Sequence, residues 1–167
     1  SLSMCTVRMF YNKKMLKEAT GSVEPQKTYR EFIAMCEQLT DWAKKKGIEG
    51  FVPVAAASYQ LDMFRGRFIS ALSFNLALTS DMDYDGTLEK TETLISYVDG
   101  RHDENSRSIR MGNEAAYALT KHFPNGFMSQ NRMESGFRFT RGKSVFIASG
   151  AWDANSYIQD ADFPVGV

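Results

Sequence analysis

The segment from Thr28 to Lys46 constrains the fold of this 167-residue chain most strongly, because its pattern is satisfied only by an amphipathic helix. Thr28 followed by Glu31 predicts a capping box at its start. Lys44 to Lys46 suit the negative end of the helix dipole, and Gly47 can adopt a left-handed cap. The apolar stripe consists of Tyr29, Phe32, Ile33, Cys36, Leu39 and Ala43. This stripe has to be buried against another element.

A second amphipathic helix is predicted after the polar connection 101–106. Asn105 or Ser106 can cap its start, and Pro124-Asn125-Gly126 would end it. Its buried stripe is formed by Ile109, Ala116, Leu119 and Phe123.

Period-two alternation and β-branched composition predict the strands. The candidates are Cys5–Tyr11, Phe68–Thr79, Thr91–Val98 and a hairpin over Phe137–Ile147 that turns near Arg141-Gly142. Phe51–Ala57 contains Pro53 and is therefore an edge strand or a buried loop. A four-residue spacing of Phe64, Phe68, Leu72 and Leu76 keeps a helix open as the alternative for Phe68–Thr79.

These elements predict an α+β fold, with an antiparallel sheet packed on one face by the two amphipathic helices. The length predicts a single domain over 1–167. We expect residues 1–3 to be a tag remnant and residues 160–167 to form an exposed tail.

The composition excludes several classes of protein. No apolar run approaches the roughly 18 to 20 residues that span a bilayer, so we expect no membrane partner. Two cysteines without a Cys-x-x-Cys motif predict a cytoplasmic or otherwise reducing intracellular location.

The charges balance overall but are unevenly distributed along the chain. There are 20 basic and 20 acidic residues, and the acidic excess lies in 51–100 and 151–167. This segregation is compatible with head-to-tail self-association or with one face for an anionic partner. Folding could equally interleave the segments into an ordinary surface.

The segment 81–92 (DMDYDGTLEKTE) carries the one motif with a mechanism. It resembles the calcium-binding loop of EF-hand proteins over these twelve residues. The resemblance implies a Ca²⁺ site with ligands from Asp81, Asp83, Asp85, Thr87, Glu89 and Glu92, with Gly86 at the sharp bend. A solvated, Asp-rich hairpin loop is the alternative, because the strand predicted over Phe68–Thr79 departs from the flanking helix of an EF-hand.

Basic and aromatic residues interleave in the last third of the chain. An exposed aromatic strand with adjacent arginines can stack single-stranded bases and contact phosphates. The residues predicted for this nucleic-acid interface are Arg132, Arg138, Arg141 and Lys143. The alternative is that Phe137 and Phe139 share a buried face and the arginines face solvent.

The sequence favours a non-catalytic binding or self-assembly module, with a protein partner or a second copy and a structural calcium loop. A single-stranded nucleic-acid-binding protein is the alternative. A small enzyme with an unrecognised active site is the third reading, because neither histidine lies in a recognisable catalytic spacing.

Overall fold

The structure is a computed structural model that describes residues 6–24, 26–101, 103 and 105–167, without the side chains of residues 70 and 72–79. The chain divides into two compact units. The first comprises Ser1–Met63 and Leu119–Val167, and the second comprises Phe64–Ala118. The tag expected at residues 1–3 lies outside the described residues.

The described part of the chain contains helices and strands in the order β1 (Val7–Asn12), α1 (Lys13–Thr20), α2 (Tyr29–Lys46), β2 (Val52–Ala55), α3 (Ser58–Ser80), α4 (Lys90–Val98), α5 (Arg107–Thr120), α6 (Arg132–Thr140), β3 (Ser144–Gly150), α7 (Ala154–Asp160) and β4 (Val165–Gly166). Short 3-10 turns cover Phe127–Ser129 and Ala151–Asp153. Among the described residues, no helix is both long enough and apolar enough to cross a membrane.

The sheet of the first unit is built around β3. The strand order is β2-β3-β1-β4, with β3 parallel to β2 and antiparallel to β1, and with β4 antiparallel to β1. All seven residues of β3 are buried, as expected for a central strand covered on both faces. The α+β class is confirmed in general, but the purely antiparallel sheet is wrong.

Helices cover both faces of this sheet, because neighbouring residues of a strand point to opposite sides. Phe146 of β3 packs against Phe32 of α2, with ring centroids 5.0 Å apart. Ile147 joins the opposite core cluster with Phe139 of α6 and Tyr157 of α7. The prediction that helices pack on one face only is therefore wrong.

The predicted helix over Thr28–Lys46 is confirmed as α2. Thr28 Oγ1 accepts a hydrogen bond from the Glu31 amide, and Glu31 Oε2 accepts one from the Thr28 amide, which completes the capping box. Gly47 ends the helix in the left-handed conformation, with φ of 68°. The strand expected from Cys5 is confirmed over Val7–Tyr11. Of the two alternatives left open for Phe51–Ala57, the structure shows the edge strand, β2.

Two predicted strands of the second unit are helices. Phe68–Thr79 lies within α3, so the four-residue spacing and not the alternation describes this segment. Thr91–Val98 lies within α4, and the predicted hairpin across the acidic loop does not form. Phe68–Thr79 contains only two β-branched residues, Ile69 and Thr79, whereas Thr91–Val98 contains four. In both segments, local alternation over so short a run does not exclude a helix.

The predicted hairpin over Phe137–Ile147 is also wrong, since a helix and the central strand meet there. Asn131 Oδ1 accepts from the Glu134 amide 3.0 Å away, and the Asn131 amide donates to the Glu134 carboxylate. This capping box starts α6. The turn at Arg141-Gly142 is confirmed, with Gly142 at φ of 66°. The second amphipathic helix, α5, begins directly after Ser106, but it ends at Thr120, before the predicted stop.

The segment 160–167, which was expected to form an exposed tail, contributes a strand. Val165–Gly166 pairs with β1, and the Pro164 carbonyl accepts a hydrogen bond from the Lys13 amide. Tyr11 lies opposite Gly166, and its ring covers the glycine so closely that a Cβ there would lie 2.2 Å from the ring. The packing of the Tyr11 ring on Gly166 thus helps to hold the two-residue edge strand β4 against β1.

Helix α4 begins at a carboxylate clamp. Glu92, which is only 7% exposed, accepts hydrogen bonds from the Glu89 amide at 2.9 Å and from the Met82 amide at 2.6 Å. Those two bonds hold the pKa of Glu92 below its ordinary value. The side chain therefore joins the acidic loop to the first turn of the helix.

The contact between Tyr11 and Gly166 predicts a position intolerant of any side chain. We expect Gly166→Ala to lower the free energy of unfolding by about 1 to 3 kcal/mol, because the ring or the strand has to shift. Urea unfolding measures this change. Gly136→Ala, whose Cβ would meet Tyr157 at an ordinary 3.7 Å, is the matched control and should be neutral or stabilising. Equal loss in both variants would contradict the prediction.

The clamp at Glu92 predicts a local dependence on pH. The pKa is lower in the folded protein, so the stabilisation is complete above the unfolded value near 4.5 and is lost as the pH falls through the folded pKa. Amide hydrogen exchange in α4 should therefore be faster in Glu92→Gln than in wild type at neutral pH, and the difference should vanish in acid. The exposed Glu114→Gln is the control. A difference that does not change with pH would refute this role.

Candidate functional site

Side chains with binding chemistry meet at one edge of the first unit's sheet. The carboxyl ends of the parallel strands β2 and β3 lie at this edge. Tyr59 follows β2, and Trp152 with Asp153 follows β3. In open α/β sheets, ligand sites form outside the carboxyl ends of parallel strands. We call Tyr59, Arg132, Ser149, Trp152 and Asp153 the Trp152 cluster.

Trp152 lies flat over the backbone of Gly150. A Cβ on Gly150 would lie 2.2 to 2.3 Å from three atoms of the indole ring, so only glycine permits this arrangement. The backbone of Gly150 itself, with φ of −70° and ψ of 152°, is open to any residue. Trp152 remains 52% exposed. The strand end thus presents a fixed aromatic face to solvent.

Arg132 of α6 joins the two aromatic residues of the cluster. Its guanidinium carbon lies 5.3 Å from the centroid of the Tyr59 ring and 5.9 Å from that of Trp152. Both distances are within the range of cation–π attraction. Its Nη2 also donates to Oδ2 of Asp153. This hydrogen bond is the main reason that the pKa of Arg132 lies above its ordinary value.

Ser149 shares the same carboxylate oxygen. Its hydroxyl donates to Asp153 Oδ2, so that oxygen accepts from both a guanidinium and a hydroxyl. Behind it lies Tyr157, whose pKa is raised by burial, while a hydrogen bond with Ser149 acts in the opposite direction. The orientation of Asp153 is therefore determined by residues from α6 and β3.

Buried polar groups hold the supporting elements in place. Gln60 is fully buried, and its Oε1 accepts from the Ala57 amide at 2.9 Å. The Ser135 hydroxyl lies 3.3 Å from that oxygen and 2.8 Å from the Arg132 carbonyl oxygen. These contacts connect the start of α3 to the first turn of α6. They set the position of Arg132 relative to Tyr59.

The cluster combines flat apolar faces with fixed hydrogen-bonding groups. Trp152 and Tyr59 offer ring faces, while Arg132 and Asp153 offer donors and an acceptor beside them. Their side chains are 42% and 18% exposed. Such a surface suits a small molecule that is apolar on its ring faces and polar at its rim.

The structure brings together part of the predicted calcium ligand set. Carboxylate oxygens of Asp81, Asp83 and Asp85 lie within 4.8 Å of one another. Glu89 is outside this group, and both oxygens of Glu92 accept backbone amides.

The aspartates of this loop also serve its turns. The Gly86 amide donates to Asp81 at 2.9 Å and the Thr87 amide to Asp85 at 2.7 Å. Helices α3 and α4 flank the loop, contrary to the strands expected there. Ca²⁺ ligation by the six residues stays a prediction.

The four residues predicted for a nucleic-acid interface do not form a strand platform. Arg132 belongs to the Trp152 cluster. Arg138 donates to the Gly50 carbonyl at 2.8 Å, and Lys143 to the Glu49 carbonyl at 3.0 Å. Arg141 lies over Phe137 at 5.6 Å. On helix α6, Phe137 is exposed and Phe139 is buried, so the two rings do not share a face.

Sequence reasoning missed four of the five residues in the cluster. Trp152 and Asp153 lie in the turn that follows the buried strand β3, and this position after a strand without polar alternation is a signal that could have pointed to them. Tyr59 and Ser149 carry no comparable signal. Arg132 was selected for its charge, but its partners lie in other elements.

Several solved structures have a fold similar to that of this chain. A chitin oligosaccharide binding protein matches with a TM-score of 0.58 and 20% identity, over 92% of this chain and 34% of that one. A family 1 extracellular solute-binding protein from Bifidobacterium longum subsp. infantis matches with a TM-score of 0.61 and 20% identity, over 96% and 37%. At this identity, the likeness shows the fold alone.

A third neighbour has the same partial coverage. It is a bacterial solute receptor described as having an exclusive substrate preference for β-D-galactopyranose, with a TM-score of 0.53, 14% identity and coverage of 92% of this chain and 33% of that one. The chain thus spans about a third of the length of these structures. A search of curated proteins finds no match.

A family model for bacterial extracellular solute-binding proteins matches residues 2–167. This match corrects the EF-hand resemblance, which covers only a loop that caps a helix. It also replaces the predicted functions: the self-assembly module with a structural calcium loop, the nucleic-acid-binding alternative and the small enzyme. The predicted cytoplasmic or reducing location is wrong as well, since the family is extracellular and a cysteine count of two is too weak a signal. The chain belongs to the bacterial extracellular solute-binding proteins.

Proposed function

We propose that this chain binds a sugar, and that the Trp152 cluster forms one wall of the binding site. One observation carries the proposal: the Trp152 ring is held flat and half exposed over Gly150, beside an ion pair that offers donors and an acceptor. The location beyond the carboxyl ends of β2 and β3 supports it.

The chemistry of a pyranose ring matches this wall. Its axial C–H groups form an apolar face that packs on an indole, and its hydroxyls both donate and accept at the rim. Asp153 Oδ2 is occupied by Arg132 and Ser149, which leaves Oδ1 for a sugar hydroxyl. The guanidinium of Arg132 has further N–H groups for sugar oxygens.

The comparisons support a sugar over other solutes. The descriptions of the structural neighbours mention carbohydrates: one is a chitin oligosaccharide binding protein, one comes from a study of xylan utilization, and one is a receptor with a preference for β-D-galactopyranose. The chain spans about a third of the length of these proteins. Our proposal therefore concerns only the part of the sugar that contacts the Trp152 cluster. The proposed partner is accordingly a small carbohydrate.

Tryptophan fluorescence tests the site directly, because the chain has two tryptophans. In a Trp42→Phe background, the emission reports on Trp152 alone. We expect a saturable change on titration with N-acetylglucosamine oligomers, xylo-oligosaccharides or galactose. Calorimetry on the wild type should give the same affinity, and Trp152→Ala should weaken binding at least about tenfold.

Phe137→Ala is the matched control for that experiment. Phe137 is also 52% exposed and also has an arginine over its ring, but it lies outside the cluster. Its substitution should leave the sugar affinity unchanged. The proposal fails if none of these sugars gives a saturable response, or if both aromatic variants bind as wild type does.

The support of Trp152 by Gly150 generates a second prediction. Gly150→Ala should weaken sugar binding about as much as Trp152→Ala, because the Cβ displaces the indole from its position. The backbone conformation accepts alanine. Calorimetry on the double variant completes a double-mutant cycle. In the Trp152→Ala background, Gly150→Ala should cause no further loss of sugar affinity. Additive losses of affinity would show that Gly150 acts through something other than the ring.

A further inference from the structure

The Trp152 cluster contains a cation that would otherwise bind acidic ligands. A guanidinium presents a planar fork of donors that matches a carboxylate, and it is charged at every physiological pH. Arg132 is 42% exposed and lies at the aromatic wall, so a ligand at that wall meets it. An unpaired arginine in this place would favour an anionic sugar.

The protein supplies the counter-charge itself. Asp153, 21 residues away in sequence, accepts from Arg132 and lies in direct contact with it. The Ser149 hydroxyl binds the same carboxylate oxygen and prevents it from turning away. Tyr59 and Trp152 flank the guanidinium. The ion pair is therefore held by three further side chains, Ser149, Tyr59 and Trp152.

We propose that Asp153 makes the Trp152 cluster selective for uncharged sugars over acidic ones, because it neutralises Arg132 within the site. This inference rests on the sugar-binding function proposed above. An acidic sugar would have to share Arg132 with Asp153, and its carboxylate would then lie beside another carboxylate. Specificity of this kind comes from repulsion of the wrong ligand as well as attraction of the right one.

One further cation lies near the cluster on the sheet. Arg8 is the register partner of Ser149 on β1, and it is exposed. Solvent and salt screen a charge in that environment, whereas Arg132 and Asp153 are in contact. Arg8 therefore provides a control for general electrostatic attraction.

Paired ligands test the selectivity. Galactose is compared with galacturonate, and xylotriose with its glucuronate-branched form, by calorimetry on the full chain. Wild type should prefer the neutral member of the pair that it binds. Asp153→Asn should shift the ratio of affinities toward the acidic member by about tenfold, because Arg132 is then unpaired. Arg8→Gln should leave the wild-type ratio unchanged.

A reciprocal variant separates charge from structural damage. Arg132→Met leaves Asp153 unpaired, so it should shift preference by about tenfold toward a cationic sugar. The probe is the deacetylated trimer of glucosamine, compared with the trimer of N-acetylglucosamine at mildly acidic pH. Collapse of the site would instead lower the affinity for all sugars to the same extent, and the two variants would not shift the preference in opposite directions.

The outcomes distinguish this inference from the function on which it rests. Opposite shifts in Asp153→Asn and Arg132→Met support it. The selectivity is refuted if the wild type binds neutral and acidic sugars with equal affinity, or if both variants lose affinity for all sugars to the same extent. Sugar binding itself would still stand in either case. If the wild type binds no sugar of either set, the proposed function is overturned and the selectivity with it.

Discussion

The first unit depends on the burial of β3 between two different neighbours. Pairing with β1 on one side and β2 on the other satisfies its backbone groups, and helices cover its two faces, so all seven of its residues leave solvent. The direction of β3 follows from its parallel pairing with β2. That direction places Gly150 and Trp152 at the edge where Tyr59 also emerges.

The charged pair of Arg132 and Asp153 lies at that edge, above an apolar core. The core beneath is apolar, with Phe10, Phe139 and Ile147 fully buried. At its border Arg132 is partly exposed and Asp153 is more buried, and the two charges neutralise each other. The selectivity proposed above depends on this one ion pair.

Elements with strong local signals were predicted well. The cap, stripe and terminal glycine of α2 all act within a few residues, as does the proline that keeps β2 at an edge. The capping box from Asn131 to Glu134 is also local, and reading it would have identified α6 as a helix. The alternation in Phe68–Thr79 was ambiguous, because the same residues satisfy strand and helix periods.

The acidic loop shows how a correct local pattern led to a wrong family. Asp81, Asp83 and Asp85 do converge, yet their oxygens and those of Glu92 accept the amides of the loop's own turns. Carboxylates in a tight turn accept hydrogen bonds from backbone amides whether or not a cation is bound. Spacing alone therefore does not distinguish the two uses.

By itself the sequence determined where helix α2 begins and ends and that the class is α+β, because caps and stripes act over short distances. Pro53 restricted Phe51–Ala57 to an edge strand or a buried loop. Only the tertiary structure decided which residues form the site. Tyr59, Arg132 and Trp152 carry no shared local pattern, and they meet because β2 and β3 run parallel and α6 packs on them. Their chemistry depends on contacts between distant parts of the chain, which no local periodicity encodes.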